Sequence, residues 1–493
     1  MKIQIGVALL STLLTAAAGT PQWPQFRGPN CSGVAEGANP PIRFSPETNL
    51  VWKLAVPPGL SSPVVWDDHI FLTGVESNHL VTLAVDARCG RQLWRRTVPA
   101  EKLERCHEFS SPAASTPCTG GRRVFSYFGS FGLIAYDFSG NELWRRPFGL
   151  LPSRYGTATS PILSGDKLIL QRLGGSTNSE VLALDTATGK TMWRVSCPLA
   201  KESYSTPMLW QHDGTEELVV QSLGRLTAYA LDRGQVKWWA KGWNFDAVMT
   251  TPVAGDGLLF AGGSGINDPS ETPDPIFDWK KSLARFDANH DGQIAISELP
   301  PEEVWHLRKE VPNGAPGSVI LLTQLFGFMD ANDDKIITKA EWDVADTESR
   351  DPLAIDHFVA IRAGGKEDAT DTHIVWKTSR GLPEIPSPLY YRGRLYLVRD
   401  GGMWTAIEAL SGKVLVDRER LGILGQFVAS PVAANGHIYS ASESGTIAVI
   451  RPGNKLEVVA LNKLGESVRT TPAIAGRALY VRTEKHLMAF AAQ

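Results

Sequence analysis

Short apolar runs separated by polar turns recur along most of the chain and predict antiparallel strands. The runs are four to six residues long and rich in β-branched and aromatic residues, as at residues 69–72, 167–170 and 394–397. Such runs, bounded by turn-forming residues, are typical of β-strands. Between about residues 264 and 355 the pattern changes to a helical period, and acidic residues become frequent. The sequence therefore predicts an all-β protein with a small α-helical insert.

A small hydroxyl residue followed by proline marks the start of each repeat unit. The hydroxyl residues of these steps are Ser62, Ser111, Ser160, Thr206, Thr251, Ser387, Ser430 and Thr471. The prolines that follow them are 41 to 49 residues apart, except for one interval of 136 residues. Four strands in about 45 residues is the size of a propeller blade. Eight units thus predict an eight-bladed β-propeller of four-stranded antiparallel blades, with the insert in blade five.

A corner of aspartate, glycine and tryptophan precedes and begins the fourth strand of several units. Its copies are Asp185-Gly189-Trp193, Asp86-Gly90-Trp94, Asp137-Gly140-Trp144 and the degenerate Asp232-Gly234-Trp238. The aspartate can accept backbone N–H groups of the turn, and the glycine can take the positive φ that the corner needs. The tryptophan covers a large apolar area, so we expect it to fill the wedge between neighbouring blades.

This corner resembles the tryptophan-docking repeat of pyrrolo-quinoline-quinone (PQQ)-type propellers. The resemblance covers nearly all of the chain outside the insert. That superfamily includes quinoprotein dehydrogenases and the propeller lipoprotein of the bacterial outer-membrane assembly machine. The resemblance therefore implies the propeller fold, whereas the fold alone does not decide between these functions.

The ends of the repeat predict how the ring closes. The eighth unit has room for three strands, and residues 50–54 form a lone strand before the first step. We predict that this strand completes the last blade, because closure removes exposed sheet edges. The predicted organisation is a signal peptide at 1–19, an N-terminal extension at 20–49, propeller blades at 50–263, an insert at 264–355 and propeller blades at 356–493.

The insert contains a segment that fits the EF-hand calcium loop at each specified position. Side-chain oxygens are expected from Asp287, Asn289, Asp291 and Glu298, and a backbone carbonyl from Gln293. Gly292 occupies the position of the sharp turn. Apolar residues lie on one face of the predicted entering helix, at Trp279, Leu283 and Phe286. The sequence predicts a calcium site here.

A second loop follows the same spacing but departs from it at one position. Its predicted ligands are Asp330, Asn332, Asp334, the carbonyl of Ile336, and Glu341. Lys335 replaces the glycine of the sharp turn, and positive φ at a non-glycine residue costs about 1 kcal/mol. We therefore expect weaker calcium binding than in the first loop. Ile294 and Ile337 occupy equivalent positions, through which the two loops could pair.

Composition and the N-terminus indicate an exported protein. Lys2, the apolar residues 5–14 and the alanines at 16–18 match a secretory signal peptide, and no other stretch approaches membrane-spanning length. No cysteine directly follows the predicted cleavage region, so a lipid anchor is not indicated. The five cysteines include no adjacent pair and no CxxC pair. Basic and acidic residues nearly balance, 49 against 52, which argues against a nucleic-acid partner. The predicted location is periplasmic or extracellular.

Residues just before each proline step are expected to line the mouth of the propeller funnel. They are polar and mixed in charge. The candidates are His107, Glu108, Arg154, Tyr155, Glu202, Tyr204, Asn244, Asp246, Glu384, Gln426 and Arg469. They could form a polar binding funnel or a solvated loop surface. The sequence leaves both interpretations open.

Two functions follow from these features. The first is a calcium-binding scaffold that holds a protein or polysaccharide partner, favoured because no nucleophile motif, phosphate loop or metal triad is recognisable. The second is a PQQ-dependent dehydrogenase that oxidises an alcohol or sugar, as the resemblance allows. Those enzymes typically use a calcium ion in the funnel, a catalytic aspartate and often a vicinal disulfide. The chain has neither adjacent cysteines nor a recognisable haem motif.

Overall fold

Eight antiparallel sheets form the blades of a β-propeller in the computed structural model of the chain. The structure describes residues 22–107, 109–174, 178–197, 202–222, 224–241, 248–263, 278–306, 319–327, 329–330, 332, 334–343 and 357–492. The prediction of an eight-bladed all-β propeller is confirmed. Each blade is built from four strands in chain order, interrupted by the insert in blade 5 and completed by an N-terminal strand in blade 8, and the first strand after each hydroxyl–proline step lies innermost.

Blades 1 to 4 precede the insert. Their strands, from the inside outwards, are Val64–Trp66, His69–Glu76, His79–Asp86 and Gln92–Pro99 in blade 1; Cys118–Thr119, Arg123–Phe128, Gly132–Asp137 and Glu142–Pro147 in blade 2; Ile162–Ser164, Lys167–Arg172, Glu180–Asp185 and Thr191–Ser196 in blade 3; Met208–His212, Thr215–Ser222, Arg225–Ala230 and Val236–Lys241 in blade 4. Glu367–Asp368 adds a short parallel strand to the outer edge of blade 4.

Blades 5 to 8 complete the ring. Their strands are Val253–Gly255, Leu258–Gly262, Phe358–Arg362 and Ile374–Thr378 in blade 5; Leu389–Tyr391, Arg394–Arg399, Met403–Glu408 and Val414–Arg420 in blade 6; Val432–Ala434, His437–Ala441, Thr446–Ile450 and Val458–Lys463 in blade 7; Ala473–Ala475, Ala478–Arg482, His486–Ala491 and Leu50–Ala55 in blade 8. Leu50–Ala55 pairs antiparallel with His486–Ala491, which is the ring closure that the sequence predicts.

A chain of hydrogen bonds joins the hydroxyl–proline steps of successive blades around the central channel. At each step the backbone N–H donates to the hydroxyl oxygen of the next step. Seven such bonds of 2.9 to 3.2 Å run among the described residues, through Ser62, Thr116, Ser160, Thr206, Thr251, Ser387, Ser430 and Thr471. The steps therefore tie the inner strands of the blades together.

The second step is Thr116-Pro117, so the prediction of Ser111-Pro112 is wrong. Cys118–Thr119, the innermost strand of blade 2, follows Pro117 directly. Ser111 lies in the loop between blades 1 and 2, where its hydroxyl accepts the N–H of Ala113 at 3.1 Å. Both dipeptides fit the repeat locally. Only the bond to the neighbouring blade distinguishes them, and that contact is not visible in the local sequence.

Tryptophans of the outer strands dock on the corner of the next blade, as the repeat predicts. The indole N–H groups of Trp52, Trp94, Trp144, Trp193 and Trp376 donate to backbone carbonyls of the following blade at 2.8 to 3.1 Å. The rings pack against the corner glycines. A Cβ built on Gly234, for example, would lie 2.6 Å from Trp193. Trp238 differs, because its indole donates to Glu217 at 2.8 Å.

Residues 22–35 enter the central channel from the end where the Asp–Gly corners lie. Gln22–Trp23 pairs with the inner strand of blade 1, and Val34–Ala35 pairs with that of blade 7. Between them, Asn30 accepts the N–H of Leu209 in blade 4 at 3.2 Å. The side chains of Trp23, Arg27 and Cys31 are fully buried. The sequence carries no periodic signal for this plug.

The insert has a small core of its own. Its helices Trp279–Phe286 and Leu322–Gly327 pack through an apolar cluster that includes Phe286, Phe326, Met329 and Trp342. The short strands Ile294–Ala295 and Ile336–Ile337 pair antiparallel, and Val304–His306 pairs with Val319–Leu321. A further short helix, Thr370–His373, lies in the corner of blade 5. Three-residue 3₁₀ turns lie at Pro29–Cys31, Ile296–Glu298 and Asp400–Gly402.

Candidate functional site

Strand direction places the loops between blades and the insert at the same end of the propeller. Each inner strand begins at the hydroxyl–proline step, so four antiparallel strands return the chain to that end. The turns between second and third strands lie there too. In blade 3, for example, Leu173 follows the second strand and forms a β-bridge with Ser203, in the loop that leads to blade 4. We call this end the funnel face. The insert leaves blade 5 after Gly262 and returns before Phe358, and therefore starts and ends at the funnel face.

Aromatic side chains from three consecutive inter-blade loops meet on the funnel face. The ring of His107 lies 5.3 Å from that of Phe109 and 5.3 Å from that of Tyr155. Tyr155 in turn contacts Tyr204 edge to face, with ring centroids 5.5 Å apart. The backbone N–H of His107 donates to the carbonyl of Tyr155 at 3.2 Å. These four residues, which we call the aromatic network, link the loops that precede blades 2, 3 and 4.

Polar side chains hold one end of the aromatic network. The Tyr204 hydroxyl donates to Glu202 at 2.5 Å, and the backbone N–H of Tyr155 donates to the same hydroxyl at 3.3 Å. Burial, followed by the neighbouring Glu202 carboxylate, raises the pKa of Tyr204 well above its usual value. Glu202 also accepts the N–H of Arg154 at 3.2 Å. The exposed Arg154 guanidinium lies 5.5 Å from the ring of Tyr155, a cation–π distance.

At its other end the aromatic network contacts the loop between blades 7 and 8. The Arg469 guanidinium lies 5.3 Å from the ring of Phe109. Its Nε donates to Glu443 at 2.6 Å, and the N–H of Glu443 donates to the carbonyl of Gln426 at 2.9 Å. Phe109 and Arg469 come from loops two blades apart around the ring. The loop before blade 2 therefore extends across part of the channel mouth.

The structure thus joins seven of the predicted funnel residues, directly or through Phe109 and Glu443. They are His107, Arg154, Tyr155, Glu202, Tyr204, Gln426 and Arg469. Glu384 is half-buried in the loop between blades 5 and 6. Glu108, Asn244 and Asp246 lie outside the described residues.

Sequence reasoning missed several residues beside the network. Glu104 accepts both the N–H and the hydroxyl of Thr157, at 2.8 and 2.6 Å. Its burial raises the carboxyl pKa. The thiol of Cys106 packs against Gly156, and burial, with the Glu104 charge second, raises its pKa to about 12. A thiol with so high a pKa is a poor nucleophile at neutral pH. The predicted step at Ser111-Pro112 gives the loop before blade 2 an ordinary length, so the sequence carries no signal for these residues.

The first predicted calcium loop is folded around its own carboxylates. Asp287 accepts the N–H groups of Asp291 and Gly292 at 3.1 and 3.0 Å. Glu298 reaches back across the loop, where its two oxygens accept the N–H groups of Asn289 and Ala295 at 3.2 and 2.9 Å. Gly292 has a φ of 82°, the conformation expected at the sharp turn. The loop backbone therefore has the turn that the motif predicts.

The second loop repeats this arrangement despite its lysine. Asp330 accepts the N–H groups of Asp334 and Lys335 at 3.2 and 2.7 Å. Lys335 adopts a φ of 67°, so the left-handed conformation predicted for this non-glycine residue is observed. Ile294 pairs with Ile337 between the two loops, as their equivalent positions predict. Among the residues that the structure describes, no group of three or more His, Cys, Asp or Glu side chains converges as a preformed metal cage.

Comparison with known proteins gives one family match. The family model of the outer membrane protein assembly factor BamB matches residues 45–149, 77–310 and 356–493. The chain belongs to the BamB family. No curated protein matches it.

Solved structures share the fold of this BamB-family chain at low sequence identity. BamB from Moraxella catarrhalis is 12% identical, with a TM-score of 0.52 over 90% of this chain and 97% of that one. A quinohemoprotein alcohol dehydrogenase from Comamonas testosteroni is 12% identical, with a TM-score of 0.53 over 96% and 80%. The computationally designed Ika8 protein is 9% identical, with a TM-score of 0.51 over 90% and 100%. At these identities the likeness shows the fold alone.

The cysteines and the helices of the described residues also bear on the predictions made from the sequence. All five cysteines are free thiols. None of the described helices combines the length and the apolar character needed to cross a lipid bilayer.

Proposed function

We propose that the protein is an exported, calcium-binding scaffold and that a protein partner docks on its funnel face. The aromatic network carries this proposal. Tyrosine and arginine are enriched among the residues that dominate protein–protein binding. Here the rings of Tyr155 and Tyr204 pack against each other across two loops. The guanidinium groups of Arg154 and Arg469 lie against Tyr155 and Phe109, at the two ends of the aromatic network.

Rigidity supports a binding role for this face. The rings of His107, Tyr155 and Tyr204 contact rings of neighbouring loops, Tyr204 also donates to Glu202 at 2.5 Å, and Phe109 lies between His107 and the Arg469 guanidinium. Preorganised side chains lose little entropy when a partner binds, so more of the contact energy appears as affinity. The name of the matched family, an outer membrane protein assembly factor, supports a protein partner over a polysaccharide. It also supports placing the protein in the periplasm, at the outer membrane, after signal-peptide removal.

The oxygen donors of the first insert loop fit a calcium ion. Carboxylates of Asp287, Asp291 and Glu298 and the amide oxygen of Asn289 would hold it, with the Gln293 carbonyl. The Glu298 carboxylate is already turned into the loop. A bound ion would neutralise these clustered charges and order the insert. Because the insert starts and ends at the funnel face, we propose that it helps to form the docking surface.

Quinone-dependent oxidation remains the alternative. It predicts turnover of alcohols or sugars, and the scaffold proposal predicts none. Several of the described funnel residues bond to each other. Glu202 is engaged by Tyr204 and Arg154, and Glu443 by Arg469. These contacts support a packed recognition surface rather than a pocket that encloses a cofactor.

Site-specific photocrosslinking in the producing cell tests the proposal. A photoreactive phenylalanine analogue replaces the exposed Arg154 on the funnel face or, as a matched control, the exposed Arg91 at an Asp–Gly corner. We expect a discrete protein adduct from position 154 that is absent from position 91. Adding Tyr155→Ala to the first variant should reduce the adduct several-fold. Equal adducts from both positions would refute docking at this face. Dye-linked turnover after reconstitution with PQQ and calcium would establish the alternative.

A further inference from the structure

A cleft of about 340 Å³ opens on the funnel face between blades 2 and 3, beside the aromatic network. Residues 148–151, which follow the outer strand of blade 2, form one wall. Arg172, Glu180 and Arg194, from the second, third and fourth strands of blade 3, form the other. This volume is at the lower end of the range for small-ligand sites. It is large enough for one or two amino-acid side chains of a partner.

The cleft has an excess of positive charge. Arg172 and Glu180 form an ion pair at 2.6 Å, with side chains only 6% and 8% exposed. The second oxygen of Glu180 accepts Arg194 Nε at 2.7 Å, although the Arg194 side chain remains 52% exposed. A third guanidinium, that of Arg146, lies 5.5 Å from the ring of Phe148. Burial, followed by the positive charge of Arg194, lowers the pKa of Arg146. Arg172 and Arg194 thus share the single carboxylate of Glu180, and Arg146, which donates to the carbonyl of Gly189 at 2.9 Å, adds a further positive charge beside Phe148.

Such an arrangement favours a ligand that brings its own carboxylate. Guanidinium groups bind carboxylates through short, paired hydrogen bonds, and a second anion would balance the excess charge. The wall of the cleft also offers Leu150, which is 41% exposed, and Leu151 to apolar atoms. Sugar rings usually need an open aromatic face, but guanidinium groups stand over Phe148, with that of Arg172 only 4.3 Å away. The chemistry therefore favours a peptide over an acidic sugar.

We propose that this cleft binds an aspartate or glutamate side chain of a peptide segment that also carries a neighbouring apolar residue. The inference deepens the proposed scaffold function, on which it rests, by naming the chemistry of the partner segment. Arg194 would be the specificity-determining residue, because it is half-exposed while its Nε is already oriented by Glu180. Arg172 would act as a positioning residue, since it is buried and bonded to Glu180, Tyr127 and the carbonyl of Gly149.

Fluorescence anisotropy with two blocked peptides tests the cleft directly. The probes are fluorescein-labelled Gly-Leu-Glu-Leu amide and its glutamine counterpart, which differ by one carboxylate. We expect the wild-type protein to bind the glutamate peptide at least ten-fold more tightly, with a preference that weakens as salt is raised. Arg194→Gln should remove that preference, while Arg91→Gln, an exposed arginine at the opposite face, should leave it unchanged. Circular dichroism spectra of the variants should be identical.

Each other outcome contradicts the inference. Equal affinity for the two peptides, no binding of the glutamate peptide, or an affinity indifferent to Arg194→Gln overturns the cleft as a carboxylate site. Arg194-dependent binding of trigalacturonate without binding of the peptide overturns the choice of ligand. Failure of the scaffold proposal would look different. Crosslinking at position 154 would then be lost, whereas peptide binding, which Tyr155→Ala should leave intact, would persist.

Discussion

Replacing Trp193 by alanine tests whether the docking tryptophans hold the blades together. The Trp193 side chain extends from the outer strand of blade 3 and is 7% exposed. Its ring packs against Gly234 in the corner of blade 4, and its Nε1 donates to the carbonyl of Leu231 at 2.9 Å. The change therefore removes both an apolar wedge and a hydrogen bond from the boundary between two blades.

Two independent estimates of the loss in unfolding free energy agree. A buried tryptophan covers about 200 Å², which at about 25 cal/mol per Å² corresponds to about 5 kcal/mol as an upper value. Measured substitutions of buried tryptophan by alanine cost about 3–5 kcal/mol. The free energy of unfolding should therefore fall by about 3–5 kcal/mol. The unfolding entropy of a chain of this length is about 1 kcal/mol/K, so Tm should fall by about 3–5 °C.

Urea unfolding followed by far-ultraviolet circular dichroism measures the loss without relying on tryptophan emission. Met192 provides the matched control, because it precedes Trp193 in the same strand but is 44% exposed. Met192→Ala should change the free energy of unfolding by less than about 0.5 kcal/mol. Trp193→Phe keeps most of the wedge but loses the hydrogen bond, and should fall between the two. A loss below about 1 kcal/mol for Trp193→Ala, or one equal to that of Met192→Ala, would refute the docking role.

Two further predictions concern calcium and pH. Glu298→Gln should weaken calcium binding far more than Glu341→Gln, as measured by titration calorimetry. The reason is that Lys335, strained by its positive φ, already weakens calcium binding in the second loop. Equal losses of affinity would contradict this ranking of the two loops. Glu466 is partly desolvated, which alone would raise its pKa, but hydrogen bonds from Lys53, Thr483 and His486 outweigh this and lower it to about 2. Its stabilisation, about 1–3 kcal/mol from charge-assisted bonds, should be complete above pH 4.5 and lost as the pH falls towards 2. Glu466→Gln should thus destabilise the protein at pH 7, and the difference from wild type in urea unfolding should shrink through this window; a constant difference would refute the assignment.

Local chemistry explains which parts of the fold the sequence predicts. The Asp–Gly–Trp corner is a local turn with a fixed spacing, so Trp193 and its equivalents are recognisable without knowing their neighbours. The step of blade 2 is different. Ser111-Pro112 and Thr116-Pro117 are equally plausible locally, and the bond from Thr116 to Ser160 selects between them. The N-terminal plug was missed for the same reason, because its contacts are with strands far along the chain.

The candidate site shows the same contrast between features that local sequence predicts and contacts that depend on distant parts of the chain. Chain direction sufficed to place most funnel candidates on one face, because every step starts at the same end of its blade. Their contacts could not be predicted. Phe109 and Arg469 are 360 positions apart in the chain, and they meet only because the ring is closed. The insert loops, by contrast, carry their donors within twelve consecutive residues, so their turn geometry could be read from spacing alone.

Closure of the ring links the funnel face to residues 34–55, near the start of the chain. Leu50–Ala55 supplies the outer strand of blade 8, and Lys53 within it forms an ion pair with Glu466 at 2.7 Å. Val34–Ala35 meanwhile pairs with the inner strand of blade 7. Residues from the opposite end of the sequence thus complete blade 8 and add a strand to blade 7, and the loop that carries Arg469 joins these two blades. Because Arg469 lies against Phe109 across the channel mouth, its contact with the aromatic network depends on closure of the ring. The proposed docking surface is therefore a property of the closed ring rather than of any single blade.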